Sequence, residues 1–382
     1  MKHLKYLLVA IIPILLAGCW DSQENWRMLY VYGVGIDYIE NEYRIYVQVV
    51  SFGNTAKTGQ INQDLMQSEV GYSTGKTVDD AFANLYNSVD ERLFLGHLTT
   101  LIFSEDLLKS GNMNEILNTF TRYTDTRYQT WIYATDKPIE EFFLETPILR
   151  KSITLTKLAN PLNTYEQNSF IEPVNIRKLI IQLNEPNHLA KIPYITIKEV
   201  WNTEKGFDPA FVIEGVALIT PKEFKGYLLK DDAKGLQYLT GETITTYLTT
   251  SIDGHDFTFV NRNLRLKITP ITKGNNAKFQ IEVSVTSTLS SFELNLSYKD
   301  LEKQIEEEIK KEILRTYKKG LELNSDVYRL SEILYRKKLK LWKNTEKDGR
   351  IPLSEDSIDV HVTVDKLKSG RSMFKDTLNE YP

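Results

Sequence analysis

The sequence predicts a multidomain α+β protein, built from mixed and antiparallel sheets with packed helices. Three observations predict this class: alternating apolar segments run along the whole chain, capped helical patterns separate the first of them, and one long helical stripe lies near residue 300. An apolar content of 41% with 26% charged residues is typical of globular domains. Three domains are predicted after a leader at residues 1–18, at residues 19–137, 138–205 and 206–382.

The leader is typical of a secretory signal sequence. Lys2, His3 and Lys5 are basic, and residues 6–16 form an apolar run interrupted only by Pro13. A helix that crosses a membrane needs about 20 apolar residues, so this run is too short to remain as a transmembrane anchor. We therefore expect it to be removed.

Leu16, Ala17 and Gly18 precede Cys19, the only cysteine of the chain. This stretch resembles the lipobox of bacterial lipoproteins. The resemblance implies that a diacylglyceryl group is attached to the Cys19 thiol and that the peptide is cut before it. Two acyl chains hold a protein on a bilayer for long times, so the mature chain would be tethered at its N-terminus. The alternative is a plain signal peptide or an uncleaved anchor in which Cys19 is incidental.

Charge and cysteine content exclude several classes of protein. The chain has 47 basic and 51 acidic residues, and removal of residues 1–18 takes away two lysines, so the mature net charge is about −6. This balance argues against a nucleic-acid-binding protein. No second run of 18 apolar residues follows Cys19, and a single cysteine allows no internal disulfide, so stability must come from packing.

The N-terminal domain begins with a predicted hairpin of strands at 28–37 and 43–52, joined by a turn at 40–42. Gly33 and Gly35 lack the third glycine of a dinucleotide fingerprint, so we interpret them as a bulge or a close backbone approach. The polar composition of residues 53–67 predicts an exposed loop.

Helices and strands then alternate. Thr77 is the predicted N-cap of a helix that starts at Val78, with Asp80 in the capping-box position. A strand at 98–103 ends at Ser104, the predicted cap of the next helix. A further helix at 113–121 and a strand at 129–134 complete this domain.

Seven of the twelve prolines lie between residues 138 and 209, and proline-rich stretches are typical of domain boundaries. A helix at 175–183 and a strand at 192–198 indicate that the segment is ordered.

The C-terminal domain is predicted to hold an antiparallel sheet and the longest helix. Strands are predicted at 210–220, 224–229, 243–252, 263–270 and 279–289, with a last strand at 358–364. The helix starts at residue 297, and its apolar stripe advances in steps of four residues through Leu301, Ile305, Ile309, Ile313, Tyr317 and Leu321. Such a stripe favours packing across a sheet over a coiled-coil dimer.

A second helix is predicted at 328–342, with a basic end formed by Arg336, Lys337 and Lys338. We interpret these charges as a solvated helix face, stabilised by the helix dipole. A contact with phospholipid head groups is the alternative.

No catalytic, cofactor or metal site is predicted. His97, His188, His255 and His361 have no metal-ligand spacing, and the nucleophile-elbow and P-loop patterns are missing. His97, before a buried strand, is interpreted as structural. The acid pairs at 79–80, 90–91 and 231–232 are interpreted as solvated, although two carboxylates of a glycosidase would leave no local pattern. We therefore predict that the protein is not an enzyme.

The ordered motifs of the chain resemble the Ger(x)C family of endospore-forming Firmicutes, the C subunits of spore germinant receptors. The resemblance runs nearly from end to end and is carried by Cys19-Trp20-Asp21, Gly33-Val34-Gly35-Ile36-Asp37, Gly75-Lys76-Thr77-Val78, Leu95-Gly96-His97-Leu98, Gly215-Val216-Ala217, Gly226-Tyr227-Leu228, Leu239-Thr240-Gly241-Glu242, Ser325-Asp326 and Trp342. The chain departs from the family pattern at Leu339-Lys340-Leu341 and at Tyr328-Arg329-Leu330.

The resemblance implies a non-catalytic, lipid-anchored subunit on the outer face of the spore inner membrane, with Cys19 carrying the lipid. Its implied partners are the A-type and B-type membrane subunits of a receptor that responds to nutrient germinants. A solute-binding lipoprotein of a transporter is the alternative function, and a wall hydrolase is a third.

Overall fold

The computed structural model describes residues 28–50, 68–122, 126–145, 153–204, 206–252, 254–273, 276–289 and 298–369. Within these ranges the strands form two sheets, one of nine strands and one of four, with helices packed against both. The predicted α+β class is confirmed. The exposed loop predicted at 53–67 lies outside the described residues.

The first sheet collects all strands up to residue 229. Its strands are β1 (Met28–Ile39), β2 (Glu42–Val50), β3 (Ser68–Gly75), β4 (Arg92–Phe94), β5 (Thr100–Ser104), β6 (Trp131–Thr135), β7 (Ala190–Thr203), β8 (Gly206–Ile219) and β9 (Phe224–Leu229). They lie in the order β3-β2-β1-β5-β6-β7-β8-β9, and β4 also pairs with β1. The central strands β1, β5, β6 and β7 are parallel, whereas both flanks are antiparallel hairpins.

Apolar cores cover both faces of the first sheet. In β5, Leu101 and Phe103 pack into one core and Ile102 into the other, because successive side chains of a strand point to opposite faces. The helices that accompany this sheet are α1 (Val78–Tyr86), α2 (Glu105–Ser110), α3 (Met113–Arg122), α4 (Ile139–Leu144), α5 (Leu162–Gln167) and α6 (Ile176–Asn184).

The predicted helix caps are confirmed. Thr77 Oγ1 accepts a hydrogen bond from the Asp80 N–H (3.1 Å), and Ser104 Oγ accepts one from the Leu107 N–H (3.0 Å). These contacts satisfy amide groups that have no partner within a helix. The short side chains therefore fix where α1 and α2 begin.

The second sheet is smaller and has one helix across it. Its strands are β10 (Thr245–Ile252), β11 (His255–Lys273), β12 (Asn276–Leu289) and β13 (Ile358–Ser369), in that order. The long helix α7 (Tyr298–Glu322) buries Ile305, Ile309 and Ile313 against the sheet, as the four-residue stripe predicted. Because β13 runs parallel to β12, the sheet is mixed.

The expectation that the strands between 210 and 289 form one antiparallel sheet is wrong. β8 forms a hairpin with β7 and β9 follows it, so both complete the first sheet. In β8, Ala217 and Ile219 face the core of the first sheet, whereas Val216 and Leu218 join the core of the second. β8 is thus a shared wall, while the division into three domains stays a prediction.

The expectation of one continuous helix at 328–342 is also wrong. The structure has α8 (Leu330–Lys337) and α9 (Leu339–Thr345), separated at Lys338, whose backbone angles (φ −144°, ψ 57°) are not helical. The break falls where the chain departs from the family pattern, at Leu339-Lys340-Leu341.

Candidate functional site

The predicted lipid attachment site lies outside the described residues. Leu16, Ala17, Gly18 and Cys19 all precede Met28, where the description begins. Their roles therefore stay predictions. The first described strand, β1, starts nine residues after Cys19.

Several glycines of the family motifs have structural roles. A Cβ atom on Gly35 would lie 2.2 Å from Ile139 Cγ2, and one on Gly215 would lie 1.9 Å from the Leu228 carbonyl oxygen. The pairing of β1 and β2 also shifts register between Val31 and Gly33. The predicted bulge is confirmed at Gly33, and Gly35 lies close to a side chain of α4.

Asp326 of the Ser325-Asp326 motif holds the turn between α7 and α8. Its Oδ1 and Oδ2 atoms accept hydrogen bonds from the amides of Leu330 (2.9 Å) and Ser331 (2.8 Å), at the start of α8. Asn187, before β7, donates from Nδ2 to the Asp326 carbonyl oxygen (2.8 Å). Burial raises the pKa of the Asp326 carboxyl. The motif thus ties the α7–α8 turn to the first sheet.

Two basic side chains strengthen the same junction. Lys191 Nζ donates to the Val327 carbonyl oxygen (3.0 Å), and Arg329 Nη1 donates to the Leu189 carbonyl oxygen (2.6 Å). Desolvation lowers the pKa of Lys191 to about 8. Sequence reasoning missed this cluster, although a lysine between Ala190 and Ile192 in a buried strand was a usable signal.

A cavity of about 490 Å³ lies on the face of the first sheet that carries α4. Its walls are largely apolar and aromatic, and include Tyr32, Phe143, Ile153, Leu158, Trp201 and Phe211. Two polar groups along the wall are engaged within the protein: Gln48 Nε2 donates to the Phe143 carbonyl oxygen (2.8 Å), and Thr100 Oγ1 to that of Leu158 (3.0 Å). The lining is mostly apolar but includes the charged residues Glu145 and Lys157.

The β7–β8 hairpin extends beyond this cavity and exposes large apolar side chains. Val200, Trp201 and Phe207 are 57%, 51% and 66% exposed. Exposed apolar residues that cluster in this way are typical of contact surfaces.

His97 and the acid pair at 231–232 are engaged in structural contacts. The His97 ring packs against the Tyr30 ring (5.1 Å between centroids), and burial lowers the pKa of His97. Asp231 and Asp232 form ion pairs with Arg315 (3.3 and 2.7 Å). Within the described ranges, no group of His, Cys, Asp and Glu side chains could hold a metal ion. No helix in that part of the chain is long and apolar enough to cross a membrane.

Two protein families match the chain one after the other. Residues 21–197 match the family described as "Spore germination protein N-terminal domain", and residues 214–370 match "Spore germination B3/ GerAC like, C-terminal". The gap between the matches, residues 198–213, covers the end of β7 and the first half of β8, the wall shared by the two cores.

Curated relatives and a solved structure agree with these matches. Spore germination protein KC of Bacillus subtilis (strain 168) is 23% identical over 368 residues, covering 90% of this chain and 89% of that protein. Spore germination protein B3 of the same organism is 21% identical over 293 residues, covering 75% and 74%. The crystal structure of the GerBC protein shares the fold, with a TM-score of 0.55 at 18% identity, covering 88% of this chain and 96% of that one.

Proposed function

Because the chain belongs to the Ger(x)C family of spore germination proteins, we propose that it is the C-type subunit of a nutrient germinant receptor. The observation that carries this proposal is the consecutive match of both family domains over most of the chain. In this role the protein acts without catalysis, as a lipid-anchored component beside A-type and B-type membrane subunits on the outer face of the spore inner membrane.

The anchor is proposed at Cys19, the only thiol of the chain. Support comes from the basic start, the short apolar run and the small residues Ala17 and Gly18. Labelling with radioactive palmitate should mark the wild-type protein and leave Cys19→Ala unlabelled. A Ser104→Ala variant, changed in a helix cap instead, should keep the label. Equal labelling of wild type and Cys19→Ala would contradict the proposal.

The receptor role is tested in spores. Deletion of the gene should abolish or weaken the release of dipicolinate that follows addition of nutrients, and the wild-type copy should restore it. Cys19→Ala should restore it poorly, because the untethered subunit is diluted away from its partners. Immunoblots of spore membranes separate loss of the protein from loss of function. A normal response to every nutrient in the deletion strain would contradict the receptor role.

The alternative, a solute-binding lipoprotein, is favoured by one observation, the cavity of about 490 Å³. Solute-binding proteins usually have two repeated lobes, whereas the described residues of this chain form one sheet of nine strands and one of four. Calorimetry with amino acids and sugars distinguishes the two functions. Micromolar binding by the purified protein would favour the alternative.

A further inference from the structure

Three exposed lysines at the α8–α9 break have no acidic partner among the described residues. Lys338, Lys340 and Lys343 are exposed, and no ion pair is found for them there. Two lysines of α7 differ, since Lys311 pairs with Glu308 (3.0 Å) and Lys319 with Glu322 (2.9 Å). The nearest acidic residue of α8, Glu332, is already bound to Arg329 and Arg336. These lysines therefore form a positively charged patch on a protein whose net charge is negative.

Apolar side chains accompany these charges. Tyr335 is 38% exposed and Leu339 is 45% exposed, whereas Leu341 and Trp342 pack toward the second core. We name residues 335–343 the basic elbow. Lysines beside exposed aromatic and aliphatic side chains are typical of segments that lie in the headgroup region of an anionic bilayer.

The strand registers place the basic elbow at the end of the molecule where the tether enters. Ile36, Phe103, Ala134 and Tyr194 are level across β1, β5, β6 and β7. Because these strands are parallel, the start of β1 is level with the loop that precedes β7. β1 and β7 are three strand spacings apart, about 14 Å.

Contacts join that loop to the basic elbow. Glu185 Oε1 pairs with Arg336 Nη2 (3.4 Å), one turn from Leu339, and the Asn187 amide donates to the Gly349 carbonyl oxygen (2.8 Å). The tip of the β7–β8 hairpin lies at the opposite end of the sheet, roughly 50 Å from the start of β1 along the strands. Met28 is nine residues after Cys19, and a chain of that length spans at most ~30 Å. A bilayer at the tether therefore meets the elbow before the hairpin tip.

We propose that the basic elbow lies on the anionic head groups of the bilayer that holds the N-terminus. This proposal rests on the anchor proposed at Cys19. The lipid tether keeps the chain near the bilayer, and the elbow fixes its orientation, so that the hairpin tip points away from the lipid. An acidic surface of a partner protein is the competing occupant.

The test uses the lipidated protein in vesicles. Since lipid occupies Cys19, a Leu339→Cys variant offers one thiol for a polarity-sensitive fluorophore. In vesicles with phosphatidylglycerol the emission should shift to the blue and iodide quenching should fall, and neither should occur with phosphatidylcholine alone. The same label at Phe207→Cys should stay in water with both lipids.

Charge-reversal variants sharpen this result. Lys338→Glu, Lys340→Glu and Lys343→Glu together should remove the blue shift. The control reverses three exposed lysines elsewhere, Lys299→Glu, Lys310→Glu and Lys366→Glu, at the same net charge, and should keep it.

The two proposals fail in different ways. Protein that does not float with vesicles would contradict the anchor. Protein that floats but keeps the Leu339→Cys label in water on anionic vesicles would overturn the elbow contact alone. Protection that appears only when the A-type and B-type subunits are present would overturn it too, in favour of a protein partner.

Discussion

The first sheet has apolar cores on both faces, whereas the second packs one face against α7 and exposes the other to water. On the open face, residues such as Thr249, Lys267 and His361 are exposed. The difference teaches that the enclosed sheet depends on apolar packing on both sides. The second depends on one packed face, which is built by α7, by Leu330 and Leu334 of α8, and by the wall that it shares with β8.

The largest expected effect tests the packing of α7. Ile309 of α7 is fully buried against the second sheet, so Ile309→Ala should lower the free energy of unfolding by about 2–5 kcal/mol. Leu314→Ala, at a position of α7 that is 38% exposed, should cost far less. In Ile309→Ala, we expect amide exchange to accelerate relative to the wild type more in β12 and β13 than in β1 and β5. Equal acceleration in both sheets would show that the sheets unfold as one unit.

The next effect tests the shared wall. A Cβ atom on Gly215 would clash with the Leu228 carbonyl oxygen, so Gly215→Ala should destabilise the protein by about 1–3 kcal/mol. Gly241→Ala, where nothing lies within 4 Å, is the matched control and should have little effect on stability. Urea unfolding measures both variants. A neutral Gly215→Ala would show that β8 and β9 can separate freely.

The junction between the sheets predicts a pH dependence. Lys191 has a pKa of about 8 in the fold, below its ordinary value of 10.5, so the unfolded chain binds more protons between these two pH values. The contribution of Lys191 to stability should therefore rise with pH in that range, by up to ~1.4 kcal/mol per pH unit. Lys191→Met should lose this rise, whereas Lys198→Met, at an exposed position of the same strand, should keep it. Identical pH slopes of unfolding for wild type and Lys191→Met would refute this role.

The smallest effect belongs to the open face of the second sheet. Arg265 forms an ion pair with Asp365 (2.7 Å) but is 72% exposed, so Arg265→Ala should cost less than about 1 kcal/mol. A double-mutant cycle with Asp365→Ala isolates the pair. A coupling energy above ~2 kcal/mol would mean that this face is less open to water than the exposure of Arg265 indicates.

The sequence predicts local structure better than it predicts sheet membership. Caps at Thr77 and Ser104, the bulge near Gly33 and the buried stripe of α7 follow from neighbouring residues, and the structure confirms them. Whether β8 pairs with β7 or β10 depends on contacts far apart in the chain, and alternating apolar residues fit either sheet. The pattern could not show that Val216 and Ala217 face different cores.

The candidate sites also divide into those that neighbouring residues predict and those that depend on distant contacts. Cys19 is predicted from four adjacent residues, and that prediction stays untested because the residues before Met28 are not described. The junction at Lys191 and Asp326 and the basic elbow need residues from distant segments, which periodicity cannot bring together. Only the charges at 336–338 were visible in the sequence, and their solvated-face interpretation did not include Leu339.

The parallel pairing of β12 with β13 has a consequence for the order in which the chain can mature. Val285 in β12 pairs with Val364 in β13, and α7, α8 and α9 lie between them in the sequence. A parallel strand can join its neighbour only after the whole crossover has been made. The second core therefore stays open during synthesis until residue 364 has been made, long after the N-terminal residues. This lobe is the last part of the chain to complete its core.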